Sequence, residues 1–162
     1  MSGRTAQGDG AAASPARAAR GVRGDYARHR IITTRWMDND VYGHVNNVVY
    51  YSFFDTVVNA TLIDQKLLDP ATSLVIGLVV ETSCRYSAPL GFPEDVDAGL
   101  RVARIGTSSV RYEVGLFRAG DALAAAEGHF VHVYVDRQTR RSVSLPPDLR
   151  AFLETLVVER AL

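Results

Sequence analysis

Three rhythms of polar and apolar positions follow one another along this chain. Residues 29–36, HRIITTRW, are rich in β-branched side chains and predict a strand. A polar stretch, MDNDVYGHVNN, occupies 37–47, and beyond it the chain turns almost wholly apolar. Residues 47–66 predict a helix with Asn46 or Asn47 as its N-cap. Val48, Val49, Tyr50, Phe53, Phe54, Val57, Val58 and Leu62 leave few polar directions on the wheel. A helix apolar on every side is expected to be buried on every side, and twenty residues would span ~30 Å.

After Asp69 and Pro70 the pattern becomes that of strands. Residues 73–87 form one long β-type run, and Pro89, Gly91 and Pro93 then punctuate a loop. Residues 95–105 and 108–118 alternate, the second through Val110, Tyr112, Val114 and Leu116. Ala119, Gly120 and Asp121 signal a hairpin turn. Residues 122–135 are the last long strand, with Gly128 as a candidate bulge. Residues 146–158 open with proline and carry Leu149, Phe152, Leu153 and Leu156 on one helical face.

The order is strand, buried helix, four strands, short helix. It predicts an α+β fold in which a curled antiparallel five-stranded sheet wraps a central helix. Such a sheet has open edges. A second copy pairing against it would close them, so a homodimer or homotetramer is expected. Residues 27–162 are assigned to this domain. Residues 1–26 are rich in Ala, Gly and Arg and short of large apolar side chains, and they predict a disordered tail.

The polar stretch and the helix after it carry a family resemblance. The segment WMDNDVYGHVNNVVYYSFFD, residues 36–55, resembles the signature of hotdog-fold acyl-CoA thioesterases of the 4-hydroxybenzoyl-CoA thioesterase-like superfamily. That theme is an aromatic strand end, Asp-x-Asp, a glycine, often His-Val-Asn-Asn, and an aromatic-rich helix. VVETSCRYSAPLGFPEDV at 79–96 and GHFVHVYVDRQTRRSVSLP at 128–146 are similar to the family's second and last strands. The resemblance covers roughly residues 27–155. The His-Val-Asn-Asn element also looks like that of acyl-carrier-protein thioesterases, so the acyl carrier stays open.

Thioester hydrolysis needs a nucleophile or base on one side of the carbonyl and donors for the developing oxyanion on the other. The resemblance places the catalytic carboxylate at the second Asp of Asp-x-Asp, Asp40, as nucleophile or as base for water. From its residue type alone, Asp40 could equally cap a turn. The first N–H groups of a helix lack internal partners and form a ready anion site. By resemblance, the Asn47 N–H would grip the thioester oxygen. Gly43 would let the loop turn back. His44, Asn46, Tyr50, Arg85 and Tyr86 are assigned to substrate binding. Asn46 is also read as a cap, His44 as an ordinary loop histidine, and Arg85 as a surface ion-pair former. Asp38 either holds the Asp40 loop or is a solvated carboxylate. Asp55 interrupts the apolar helix and is read as a buried carboxylate with a partner such as an Arg.

Composition narrows the alternatives. The 162 residues include 18 basic and 18 acidic ones, which gives no electrostatic case for a nucleic-acid partner. No apolar run reaches the ~18 residues of a membrane span, and no apolar signal-peptide core is visible, so a cytoplasmic setting is expected. Cys84, the only cysteine, allows no intrachain disulfide. Gly-x-Ser-x-Gly and nucleotide-binding glycine patterns are missing from the sequence. No cofactor and no metal are implied; Asp38, Asp40 and His44 are residue types that bind divalent ions, but they are few and lie in one loop. Two further readings on the same fold are a non-catalytic acyl-CoA-binding module and an enoyl-CoA hydratase.

Overall fold

The computed structural model describes residues 19–158. Its five strands are β1 (Arg28–Ile32), β2 (Val75–Tyr86), β3 (Val96–Ile105), β4 (Ser109–Arg118) and β5 (Ala126–Asp136). They form one antiparallel sheet in the order β1-β3-β4-β5-β2, so β1 and β2 are its edges. Helix α1 (Val49–Asp64) lies against one face, and the short helix α2 (Pro147–Glu154) follows β5. This is the hotdog arrangement that the sequence predicts.

Alternation assigns the two faces of the sheet. Ala98, Leu100, Val102, Val110, Tyr112, Val114, Leu116, Phe130 and Tyr134 point inward and form one core with Tyr50, Phe53, Phe54, Val57, Val58 and Leu62 of α1. Gly128 of β5 explains how closely the helix approaches. A Cβ there would lie 2.4 Å from the Phe54 ring and 2.1 Å from the Ser83 carbonyl oxygen. Gly128 is therefore not a bulge, as the sequence suggested, but the floor on which Phe54 sits. The register shift in this strand pair falls instead in β2, between Val79 and Glu81.

Three other expectations are corrected. Strand β1 ends at Ile32, and Trp36–Asp38 forms a 3-10 turn. Helix α1 begins at Val49 rather than Asn47, after a Val48 that makes no side-chain cap. In the isolated chain the helix is not covered all round: Ser52, Asp55, Thr56 and Ile63 are exposed. These positions lie three, four and seven residues apart, which is one helical stripe. Asp55 is on that stripe and has no ion-pair partner among the described residues, contrary to the buried, Arg-paired carboxylate expected there.

The chain also packs earlier than the sequence suggested. Arg20 donates to the Ala124 carbonyl at 2.7 Å, Arg23–Asp25 forms a 3-10 turn, and Tyr26 is buried. Tyr26 lies on the outer face of the sheet, directly over Gly99 and Gly115, with the Arg101 guanidinium 4.8 Å from its ring centre. Residues 19–26 of the stretch expected as a tail are among the described residues and make these contacts. Residues 1–18 of that expectation, and 159–162 of the domain, lie outside the described residues.

Candidate active site

The loop between β1 and α1 is a small hairpin built on Asp40. Its main-chain N–H donates to the His44 carbonyl at 2.8 Å, and its own carbonyl accepts from the Gly43 N–H at 3.1 Å. Gly43 has φ +80°, the left-handed region that glycine adopts without a Cβ penalty. One Asp40 carboxylate oxygen, Oδ1, accepts from the Tyr42 N–H at 2.8 Å. Asn39 and Val45 close the hairpin as an isolated antiparallel bridge. Asp40 therefore does cap a turn. That role engages one oxygen and leaves the half-buried carboxylate its second.

Asp38 holds this hairpin from beneath. Its side chain is 1% exposed and accepts from the Arg35 N–H at 2.7 Å and from the Arg35 guanidinium at 2.7 and 3.1 Å. Its carbonyl accepts from the Asn46 N–H at 2.8 Å. Of the two readings open for Asp38, the structure shows the anchor. From the other side, the Leu90 carbonyl accepts from the Val45 N–H at 2.8 Å, and Asn39 Oδ1 accepts from the Phe92 N–H at 3.0 Å. Leu90 is fully buried between Pro89 and Gly91. The sequence marks this segment as a loop punctuated by Pro89, Gly91 and Pro93; Leu90, a large apolar residue inside it, is the signal that it packs.

Asn46 organises the start of α1. Its side-chain Oδ1 accepts from the Val48 N–H at 3.2 Å, and its carbonyl accepts from the Val49 N–H at 2.9 Å. Asn47 lies between these two bonds, and its own N–H meets no protein acceptor among the described residues. The Asn47 carbonyl is fixed by the Tyr86 hydroxyl, which donates to it at 3.0 Å. Tyr86 in turn packs edge-on against Tyr50, with ring centres 4.9 Å apart.

The electrostatics tie these groups together. Burial raises the Tyr50 hydroxyl pKa, its bond to the Leu90 backbone opposes that, and the neighbouring Cys84, once ionised, and Asp40 raise it further. Asp40 is thus within electrostatic reach of Tyr50. Burial also pushes the Cys84 thiol up to about 11, against a hydrogen bond with Tyr86. At neutral pH it is a protonated thiol and a poor nucleophile.

Asp40, Gly43, His44, Asn46, Asn47, Tyr50 and Tyr86 accordingly share one neighbourhood. His44 contributes its carbonyl to the hairpin, and its side chain is exposed. Arg85 does not join them. It lies on the outer face of β2, where it bonds Glu127 at 3.1 Å. Period two in a strand puts it opposite Tyr86.

The family model for the thioesterase-like superfamily matches residues 34–153. The chain belongs to that superfamily. The Pseudomonas aeruginosa PAO1 protein PA5185 is 51% identical, covers 88% of this chain and 99% of its own, and superposes with a TM-score of 0.85. A second Pseudomonas aeruginosa protein, PA2801, is 29% identical over 79% of this chain and 98% of its own, with a TM-score of 0.74. A 1,4-dihydroxy-2-naphthoyl-CoA thioesterase from Synechocystis is 16% identical over 77% of this chain and 93% of its own, with a TM-score of 0.68, and shares the fold. A comparison with curated proteins returned no match. Thioester hydrolysis is the reaction class to which the superfamily points. No helix among the described residues is long and apolar enough to cross a membrane.

Proposed function

We propose that this protein hydrolyses acyl-CoA thioesters to the free acid and CoA. The observation that carries the reading is the unpartnered Asn47 N–H, held rigidly at the entrance to α1 within the same fold of chain as Asp40. Asp40 acts as nucleophile or as base for the attacking water, and the Asn47 N–H receives charge from the thioester oxygen in the transition state. The helix start reinforces that donor, since the macrodipole favours negative charge there. The hairpin bonds and the Asp38 anchor fix the geometry before substrate arrives, which is where an oxyanion donor gains its advantage over water.

The acyl group lies on the apolar surface around the hairpin. Trp36, Met37, Val41, Tyr42 and Val48 are between 64% and 93% exposed. So many large apolar side chains around one polar loop are unusual on a free surface. A second copy of the chain covers them. Val79 and Val80 on the open edge of β2, 45% and 61% exposed, are further apolar side chains for a second copy to cover. The active unit is therefore a homodimer, or a tetramer built from it. Gly43, His44, Asn46, Tyr50 and Tyr86 contact the substrate.

The test is a panel of acyl-CoA esters with free-thiol detection, run on wild type and Asp40→Asn. Thioester hydrolysis by wild type with a loss of about a hundredfold or more in the variant supports the assignment. Equal rates for the two would remove it.

A further inference from the structure

The opposite face of the sheet carries a second arrangement of reactive groups. Ser83 of β2 and His129 of β5 are directly paired across the strands, and Ser83 Oγ lies 2.8 Å from His129 Nδ1. The other ring nitrogen, Nε2, lies 2.8 Å from Glu81 Oε1. A carboxylate only accepts hydrogen bonds, so Nε2 carries the ring hydrogen in the neutral imidazole. Nδ1 then offers its lone pair to the Ser83 hydroxyl, which donates to it. Hydroxyl, imidazole and carboxylate stand in the order of a serine hydrolase's reacting groups, with the ring reversed relative to the commoner Nε2-to-serine orientation.

This row of side chains faces an open groove of about 850 Å³ that Ser83 and His129 both line. Arg85 stands two positions along the same face of β2, and Arg111 Nη1 is 3.5 Å from Glu81 Oε1. Arg85 and Arg111 keep N–H groups beyond their pairing with Glu127, Glu81 and Glu113, and these are donors on this face for a developing oxyanion. Arg20 also lines the groove, and its guanidinium is held by the Ala124 and Leu123 carbonyls, at 2.7 and 3.3 Å, rather than by a carboxylate. Of the carboxylates in the groove, Glu127 and Glu113 are paired with Arg85 and Arg101, which leaves Arg20 to meet a ligand bearing an anionic group.

We propose that Ser83, His129 and Glu81 form a second nucleophilic site, which accepts the acyl group of esters carrying an anionic substituent. Ser83 Oγ attacks the ester carbonyl carbon while its proton passes to His129 Nδ1. The bond from the carbonyl carbon to the leaving oxygen breaks, and that oxygen takes the proton from Nδ1. Water then attacks the acyl-serine, gives its proton to Nδ1, and releases the acid as Ser83 regains a proton. Glu81 holds the ring orientation and balances the transient imidazolium. The site does not depend on Asp40, which lies beyond the other face of the sheet. The sequence concealed it because its three groups come from two strands, with Ser83 and His129 separated by 46 positions.

The probe is 4-nitrophenyl hemisuccinate, followed by nitrophenolate release and by mass spectrometry of proteolytic peptides. The expected result is a burst of about one nitrophenolate per chain and a succinyl adduct on the Ser83 peptide. Ser83→Ala abolishes burst and adduct, and His129→Gln slows the burst by about a hundredfold. Asp40→Asn leaves the burst intact, which separates this site from acyl-CoA hydrolysis. Ser83 is exposed, so its alanine variant keeps the wild-type melting curve, which checks folding. Absence of a burst in wild type, an adduct on another residue, or an unchanged burst in folded Ser83→Ala overturns the proposal.

Discussion

The Tyr86 hydroxyl donates to the Asn47 carbonyl at 3.0 Å, on the residue whose own N–H has no acceptor among the described residues. The two peptide planes flanking Asn47 each have a partner: the Val49 N–H donates to the Asn46 carbonyl at 2.9 Å, and the Tyr86 hydroxyl holds the Asn47 carbonyl. If the Asn47 N–H is the oxyanion donor, Tyr86 acts by aiming it. Tyr86→Phe keeps the ring contact with Tyr50 and removes only the hydroxyl. A lost hydrogen bond of this kind is worth about 1 kcal/mol, so kcat for acyl-CoA hydrolysis falls roughly fivefold to tenfold with KM little changed. Steady-state kinetics decide it; a change confined to KM would mean that the hydroxyl serves substrate contact alone and does not position the donor.

Asp38 and Asp40 are separated by one residue but do opposite work, and their variants should divide accordingly. Asp38 is buried and fully engaged with Arg35. Asp38→Asn keeps the shape but places an amide where three donors converge. Most of the Arg35 side chain is in solvent, which screens its ion pair. The expected cost is about 1–2 kcal/mol, from the donors left poorly satisfied. Asp40→Asn retains an acceptor for the Tyr42 N–H and should cost little stability. Urea denaturation of both, beside their thioesterase rates, tests the division. Loss of stability in Asp40→Asn comparable to that in Asp38→Asn would make Asp40 a structural residue.

Much of this was legible in the residues. The central helix announced itself because few soluble helices are apolar in so many directions, and the strands because their alternation is regular from Val110 to Leu116. The helix start was misread by two residues, because Asn46 serves with both its side chain and its carbonyl while Val48 takes the cap position with no polar side chain. The exposed stripe of Ser52, Asp55 and Thr56 escaped because apolar neighbours outnumber it on the wheel. Arg85 and Tyr86 were assigned together although adjacent strand residues must face apart. Least legible were the tertiary partners: nothing local joins Leu90 to Val45, or Tyr86 to Asn47.

Gly128 should tolerate no side chain. In Gly128→Ala the new methyl meets the Ser83 carbonyl, which is backbone within the β2–β5 ladder, as well as the Phe54 ring. The ring can tilt, but the carbonyl moves only with its strand. Overpacking of this kind costs about 1–3 kcal/mol. Thermal unfolding should show a lower midpoint in Gly128→Ala. Strand β2 would also be displaced, so the Ser83–His129 pair should loosen with it. A wild-type midpoint would mean that α1 can retreat from the sheet without loss.

His132 makes the fold sensitive to acid. Its ring is 3% exposed on the inner face, its Nε2 has no hydrogen-bond partner among the described residues, and burial lowers its pKa to about 4 from an ordinary 6.5. Above pH 6.5 the ring is neutral in both the folded and the unfolded chain, and pH has no hold on the equilibrium through this group. Between pH 6.5 and 4 the unfolded chain takes up a proton that the folded chain refuses, so stability falls as pH falls. The slope approaches about 1.4 kcal/mol per pH unit, and the total is on the order of 3 kcal/mol. Below pH 4 both states are protonated and this contribution levels off. His132→Phe keeps a ring among Tyr112, Phe130 and Tyr134 and removes the titration. Urea denaturation at pH 7 and pH 5 should show wild type losing about 2 kcal/mol over that interval and His132→Phe losing less by a similar amount. If the two chains lose stability in parallel, the acid sensitivity belongs to the carboxylates and not to this buried ring.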